Sequence, residues 1–249
     1  MLLPFIVAAA LALQAMPGAA QAADPDALWK IIHNRCVPNE QQHGDPDPCT
    51  IVDLHGGVAR GYVLLKDIRG RTQYLVLPTA RVTGIEDPEL LAPDAGNYFA
   101  DAWQNRGYTE HGAGHALPRD TLSLAVNSPY ARSQNQLHIH IDCLRPDVRA
   151  ALARQATAIG GHWAPLPEPL LGHHYWAVRV IGDELRTDPF KLLAARTRGV
   201  MRDETLVVAG AEFAGQPGFI VLADRRNPAT GDNAGGEELQ DHTCALAHP

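Results

Sequence analysis

The segment Gln136-Leu137-His138-Ile139-His140-Ile141-Asp142 alternates polar and apolar side chains without a break, and no other feature of the chain restricts its fold as much. A period of two belongs to a β-strand with one buried face, because successive side chains point to opposite sides of the sheet. Leu137, Ile139, Ile141 and Cys143 then face a core, while Gln134, Gln136, His138, His140 and Asp142 share the other side, neighbours standing about 7 Å apart. Burying such a polar row without partners costs several kcal/mol, so it must meet solvent, a ligand or its own members.

The flanking sequence extends this to an α+β fold. A helical rhythm covers residues 27–32, and the Pro/Gly/Asp-rich stretch 38–48 reads as loop. Strands are expected at 50–54, 60–66 and 72–77, a helix at 95–104 capped by Asp94, and a Gly/His-rich loop at 107–118. Further strands follow at 122–127 and 136–144, and Pro146 opens a helix to about 156. Beyond about 157 an α/β extension is expected, with strands at 175–181, 205–212 and 218–223, a helix capped by Asp188 and opened by Pro189, and a mobile Gly/Asn/Pro-rich loop at 227–236. Strands adjacent in sequence with few helices between them predict a mainly antiparallel sheet with flanking helices.

Charge and cysteine content narrow the function. With 21 Lys and Arg against 28 Asp and Glu, the formal charge of −7 argues against nucleic acid as a partner, and any phosphate must be met by a local set of groups. Residues 1–22 carry no charge, run apolar from Leu2 to Met16 and close on Gly18-Ala19-Ala20-Gln21-Ala22, the pattern of an export signal. That run is shorter than the ~20 residues of a membrane span, which favours cleavage after Ala22; no basic residue precedes it, so an uncleaved inner-membrane anchor is the alternative. In an exported chain Cys36, Cys49, Cys143 and Cys244 suggest two disulfides. Three pairings are open, and closure of the short, proline-rich Cys36–Cys49 loop is the simplest.

Histidine on a stiff strand suits phosphorus chemistry, because its neutral ring nitrogen is nucleophilic near pH 7 and a phosphoramidate breaks down readily in water. The strand resembles the His-φ-His-φ-His-φ-φ signature of the histidine triad superfamily, with Gln136 in the first histidine's place and His138 and His140 in the second and third. Val63-Leu64-Leu65-Lys66-Asp67-Ile68 and Gln73-Tyr74-Leu75-Val76-Leu77-Pro78 resemble that superfamily's preceding strand pair. More closely, Ala27-Leu28-Trp29-Lys30, Cys36-Val37-Pro38-Asn39, Asn127-Ser128-Pro129, residues 132–141 and Glu238-Leu239-Gln240-Asp241-His242 resemble the bacterial CDP-diacylglycerol pyrophosphatases, over nearly the whole chain after residue 22.

That resemblance implies an exported or membrane-attached hydrolase that cleaves CDP-diacylglycerol to CMP and phosphatidate at the membrane surface, with no cofactor and no metal. It implies that His138 attacks the phosphorus bonded to cytidine, giving a nucleotidyl-histidine that water cleaves. His140 would contact phosphate, Gln136 would hydrogen-bond it, Ser133 would assist the leaving group, and Asn127 would hold phosphate or ribose. Gln134, on the same polar face, and Lys66, at a strand end near the expected nucleotide, complete the candidate substrate contacts.

Two other classes are carried. Read in another register, His138-x-His140-x-Asp142 resembles the opening of a zinc-hydrolase motif, with Cys143 where a further histidine would stand. The other alternative is a non-catalytic periplasmic module that only binds a lipid or nucleotide. His111 and His115 in the glycine-rich loop, a possible lid, together with His173, His174 and His242, read as surface or packing residues.

Overall fold

The structure, a computed structural model, describes residues 24–247; the expected signal segment lies outside the described residues. Helix α1 (Ala27–Ile31) passes through a wider π-helical turn at Ile32–Cys36 into α2 (Val37–His43). The second helix corrects the expected loop over 38–48. Pro38 falls in its first turn, where the missing N–H is not needed, and Gly44 ends it in the left-handed conformation at φ 64°. Strands β1 (Ile51–Asp53), β2 (Tyr62–Lys66) and β3 (Tyr74–Pro78) form the expected meander.

Helix α3 (Tyr98–Gln104) is capped by Asn97, whose Oδ1 accepts from the Ala100 N–H at 3.1 Å, rather than by Asp94. The Gly/His-rich segment is not a loop but contains α4 (Gly107–Ala113), with Thr109 and Ala113 buried. Packing overrides the weak helix propensity of its glycines. Next come β4 (Leu122–Val126), β5 (Ile139–Leu144), α5 (Pro146–Gln155), β6 (Ala164–Pro165) and β7 (Trp176–Ile181). Helix α6 (Pro189–Thr197) carries the expected cap, Asp188 accepting from the Phe190 N–H at 2.9 Å, and β8 (Glu204–Phe213), β9 (Gln216–Arg225) and β10 (Gln240–Asp241) follow.

All ten strands of the described residues join one sheet in the order β1-β2-β3-β5-β4-β8-β9-β7-β6, with β10 paired to β5, and every one of these pairings is antiparallel. The strands beyond residue 157 therefore continue the same sheet. One face packs against α3, α4 and α6 through Val76, Leu124, Ile139, Ile141, Val208 and Phe219. The opposite face has two apolar patches, Val207, Ala209 and Leu222 beneath α5, and Val63, Leu65, Leu75 and Leu77 beneath α1 and α2. Ile139 and Ile141 point to the first face, so His138, His140 and Asp142 emerge on the second.

Cys36 pairs with Cys49, which holds α2 to the loop before β1, and Cys143 pairs with Cys244. The second link spans 101 residues and ties the C-terminal segment to β5, directly behind the polar row. The 227–236 segment is held at several points: Asn227 bridges Asp232, Ser128 N–H donates to Ala234 O, and Ala234 and Gly236 are buried. No described helix is long and apolar enough to cross a membrane.

Candidate active site

His138 is the last residue before β5. Its Nδ1–H donates to the backbone carbonyl of Gln136 at 2.7 Å, which fixes the tautomer and leaves the lone pair on Nε2. Burial lowers its pKa, so the ring is neutral near pH 7. It lies on the wall of a cavity of 640 Å³ between α1, the β2–β3 turn and the segment 127–134.

His140 lines the same cavity, its ring 4.9 Å from that of His138 and inclined at 67°. The Gln73 amide donates to His140 Nδ1 at 2.8 Å and to Glu237 Oε1 at 3.1 Å. An accepting Nδ1 puts the proton of the neutral ring on Nε2, which is buried and has no hydrogen-bond partner among the described residues. Burial, reinforced by His138, lowers the His140 pKa to about 3. A neutral imidazole with a spare N–H on a cavity wall is suited to meet an anionic oxygen.

Behind these rings stands a charged network. The fully buried Asp142 accepts from Thr72 Oγ1 at 2.7 Å, from the Cys143 N–H at 2.8 Å and from His242 Nδ1 at 2.8 Å. Burial raises the Asp142 pKa, but three donors leave it ionised beside the imidazolium of His242. Glu237 Oε1 lies 3.4 Å from His242 Nε2, so His242 is held between two carboxylates and its pKa rises to about 10. Against its own burial, Glu237 is kept well below the usual carboxylate range by His242, His140, Gln73 and Asn127. A Cβ at Gly70 would collide with the His242 backbone, so the β2–β3 turn needs a glycine to close against this segment.

Six of the seven expected site residues come together on the cavity wall: His138, His140, Asn127, Ser133, Lys66 and Gln134. Asn127 spends its amide on Glu237, donating to Oε2 and accepting from the Glu237 N–H, both at 3.1 Å. Gln134 anchors α1, accepting from the Leu28 N–H and donating to the Asp24 carbonyl, and Lys66 Nζ closes the β2–β3 turn through the carbonyls of Asp67 and Gly70. Gln136 does not line the cavity. It is buried, and its amide donates to the carbonyls of Pro78 and Ala80, so it braces the segment whose backbone holds His138. Those bonds also take residues 136–138 off the regular ladder, which starts at Ile139 instead of Gln136. The zinc register does not form: His138, His140 and Asp142 make no three-ligand cluster among the described residues, because Asp142 is turned to Thr72 and His242.

The cavity is amphipathic. Arg35, Lys66, Arg69 and Arg132 stand around the histidines with only Asp67 and Glu237 as acids, and Ala27, Leu28, Ile31, Leu65 and Leu75 form an apolar wall. In a chain of net charge −7, this is the local cationic set that phosphate handling requires.

The profile of one protein family, described as CDP-diacylglycerol pyrophosphatase, matches residues 23–248 and so takes in every residue of the cavity. The chain belongs to this family. A relative from Yersinia pestis, itself named CDP-diacylglycerol pyrophosphatase, is 44% identical over 224 residues, covering 89% of this chain and 84% of the relative. Family membership agrees with the resemblance read from residues 27–30, 36–39, 127–129, 132–141 and 238–242. It also bears on His242, which lies in one of those resembling stretches although its chemistry escaped the sequence. Gln73, Arg132 and Glu237 were missed as well, since each stands outside the alternating strand and no spacing rule links it to the histidines.

Proposed function

We propose that this chain hydrolyses the pyrophosphate of CDP-diacylglycerol to CMP and phosphatidate, through an intermediate on His138. The observation that carries this reading is His138 itself, a neutral ring with Nδ1 tied to the backbone and Nε2 free to react on the wall of a cation-lined cavity. Nε2 bonds to the phosphorus that carries cytidine as the bridging P–O bond breaks, and phosphatidate leaves with that electron pair. Water then attacks the cytidylyl-histidine, the N–P bond breaks, and CMP is released with the ring restored. His140 Nε2–H and the guanidinium of Arg132 meet the charge that builds on the non-bridging oxygens, and Ser133 donates to the leaving group. Arg132 is held for this by a paired contact with Glu86 at 2.6 and 2.7 Å.

The section β2-β3-β5-β4 is read as a histidine-triad-like core to which residues from about 157 add an extension. The register Leu75↔His140 and Val76↔Ile139 supports this by setting the strand that ends in Pro78 beside the histidines. Two disulfides favour an oxidising compartment, hence a periplasmic enzyme working at the membrane surface.

The decisive experiment is a rapid quench with CDP-diacylglycerol labelled in the cytidylyl phosphate. Acid-labile label is expected on His138, and turnover without any labelled protein overturns the covalent route. A module that only bound lipid or nucleotide would release no CMP at all. The apolar wall gives a second expectation: Ile31→Asp raises KM for CDP-diacylglycerol roughly tenfold and leaves KM for a soluble, chain-free CDP-glycerol unchanged. An equal rise for both substrates would remove Ile31 from the lipid path.

A further inference from the structure

A second cluster of titratable groups lies outside the cavity. His173, Asp224 and Asp232 each direct a donor atom to a place where all three atoms lie within 4.8 Å of one another. They come from three separate segments: the turn Leu170–His173, the end of β9, and the turn in which Asn227 bridges Asp232. Asp224 and Asp232 are only 4% and 6% exposed. Asp224 Oδ2 is buried with no hydrogen-bond partner, and among the described residues neither carboxylate is paired with a lysine or arginine. Two buried carboxylates at this range repel unless they share a proton or a cation. His173, 3.9 Å from Asp232, is their nearest ion-pair partner, and it is itself taken up by Glu238 at 2.7 Å.

We propose that His173, Asp224 and Asp232 bind a divalent cation of the zinc type. One imidazole and two carboxylates suit a borderline ion such as Zn²⁺ better than Ca²⁺, which prefers an all-oxygen shell. Bonds of about 2.0–2.2 Å place tetrahedral ligands roughly 3.4 Å apart, so the three donor atoms close on an ion by small side-chain rotations. Glu238, which accepts from Tyr175 Oη at 2.8 Å and lies 2.7 Å from His173 Nδ1, is a further carboxylate beside the cluster. The cluster opens on a cavity of 430 Å³ lined by His173, Asp232, Glu238 and His242, which gives an ion and a water ligand access. The bound ion fastens the 227–232 turn and the end of β9 next to the segment that bears Glu237. The site adjoins the His138 cavity, with which its own cavity shares Arg69, Asn127, Ala131 and Glu237.

The test uses the full chain, stripped with a chelator and titrated with ZnCl₂ by calorimetry and thermal melting. One Zn²⁺ per chain is expected, with Tm raised by about 5–10 °C at a hundredfold excess over Kd. His173→Ala and Asp232→Asn are each expected to weaken binding at least a hundredfold, and His138→Ala to leave it intact; if His173→Ala fails to fold, Asp232→Asn carries the test. No saturable Zn²⁺ binding by the folded, stripped protein overturns the proposal. So does stoichiometric binding that survives both cluster substitutions, or that is lost only with His138.

Discussion

His138→Ala is expected to lower CMP release from CDP-diacylglycerol by ~10⁴-fold or more, the loss that follows removal of a nucleophile. Tm should stay within about 3 °C of the parent, because the ring borders a cavity and its one hydrogen bond is to a local carbonyl. In the proposed mechanism His140→Ala removes a donor rather than the attacking atom, so its expected cost in kcat is smaller, ~10²–10³-fold, with the labelled intermediate still forming on His138. Activity that persists in His138→Ala, with no label in His140→Ala, would reverse the two roles. The acid limb of kcat/KM should lie below pH 6.5, because burial lowers the pKa of both rings.

His242→Ala is the largest expected stability loss. It leaves Asp142 buried without its cation and Glu237 without one of its donors. A fully buried pair broken this way costs 3–5 kcal/mol, and the partial exposure of His242 reduces that to roughly 2–3 kcal/mol, or a Tm fall of about 4–12 °C. The pH dependence identifies the charge. The His242 pKa is raised from 6.5 to about 10 on folding, so the folded state holds the extra proton between those values. Its contribution is full below pH 6.5 and is lost as pH rises through 10. The opposite sign holds for His140, whose folded pKa of about 3 makes its contribution full above pH 6.5 and lost as pH falls toward 3. In His242→Ala the alkaline decline should flatten while the acid decline remains. Parallel curves for parent and variant between pH 7 and 10 would mean that His242 is not the imidazolium of this network.

Local chemistry made much of this protein readable before any coordinates. The alternation through residues 136–142 is a backbone property, so the buried Ile139 and Ile141 and the opposed His138 and His140 could be assigned from period alone. Asp188 and Pro189 likewise announce a helix start with their own side chains. Helix α4 was hidden because its two glycines favour a loop, and only packing of Thr109 and Ala113 makes the helix worthwhile. Helix α2 was hidden because Pro38 reads as a breaker until its place in the first turn is known.

The sequence alone determined a mainly antiparallel α+β fold, the segment that presents His138 and His140 and the family to which the chain is similar, since each is written in contiguous residues. The tertiary structure alone decided the charged network behind these two rings. Gln73, Asp142, Glu237 and His242 meet because β3, β5 and a C-terminal segment fastened by the Cys143–Cys244 link converge there. Polar groups up to 164 residues apart have no local signature, and they become one electrostatic unit only when folding removes the water between them.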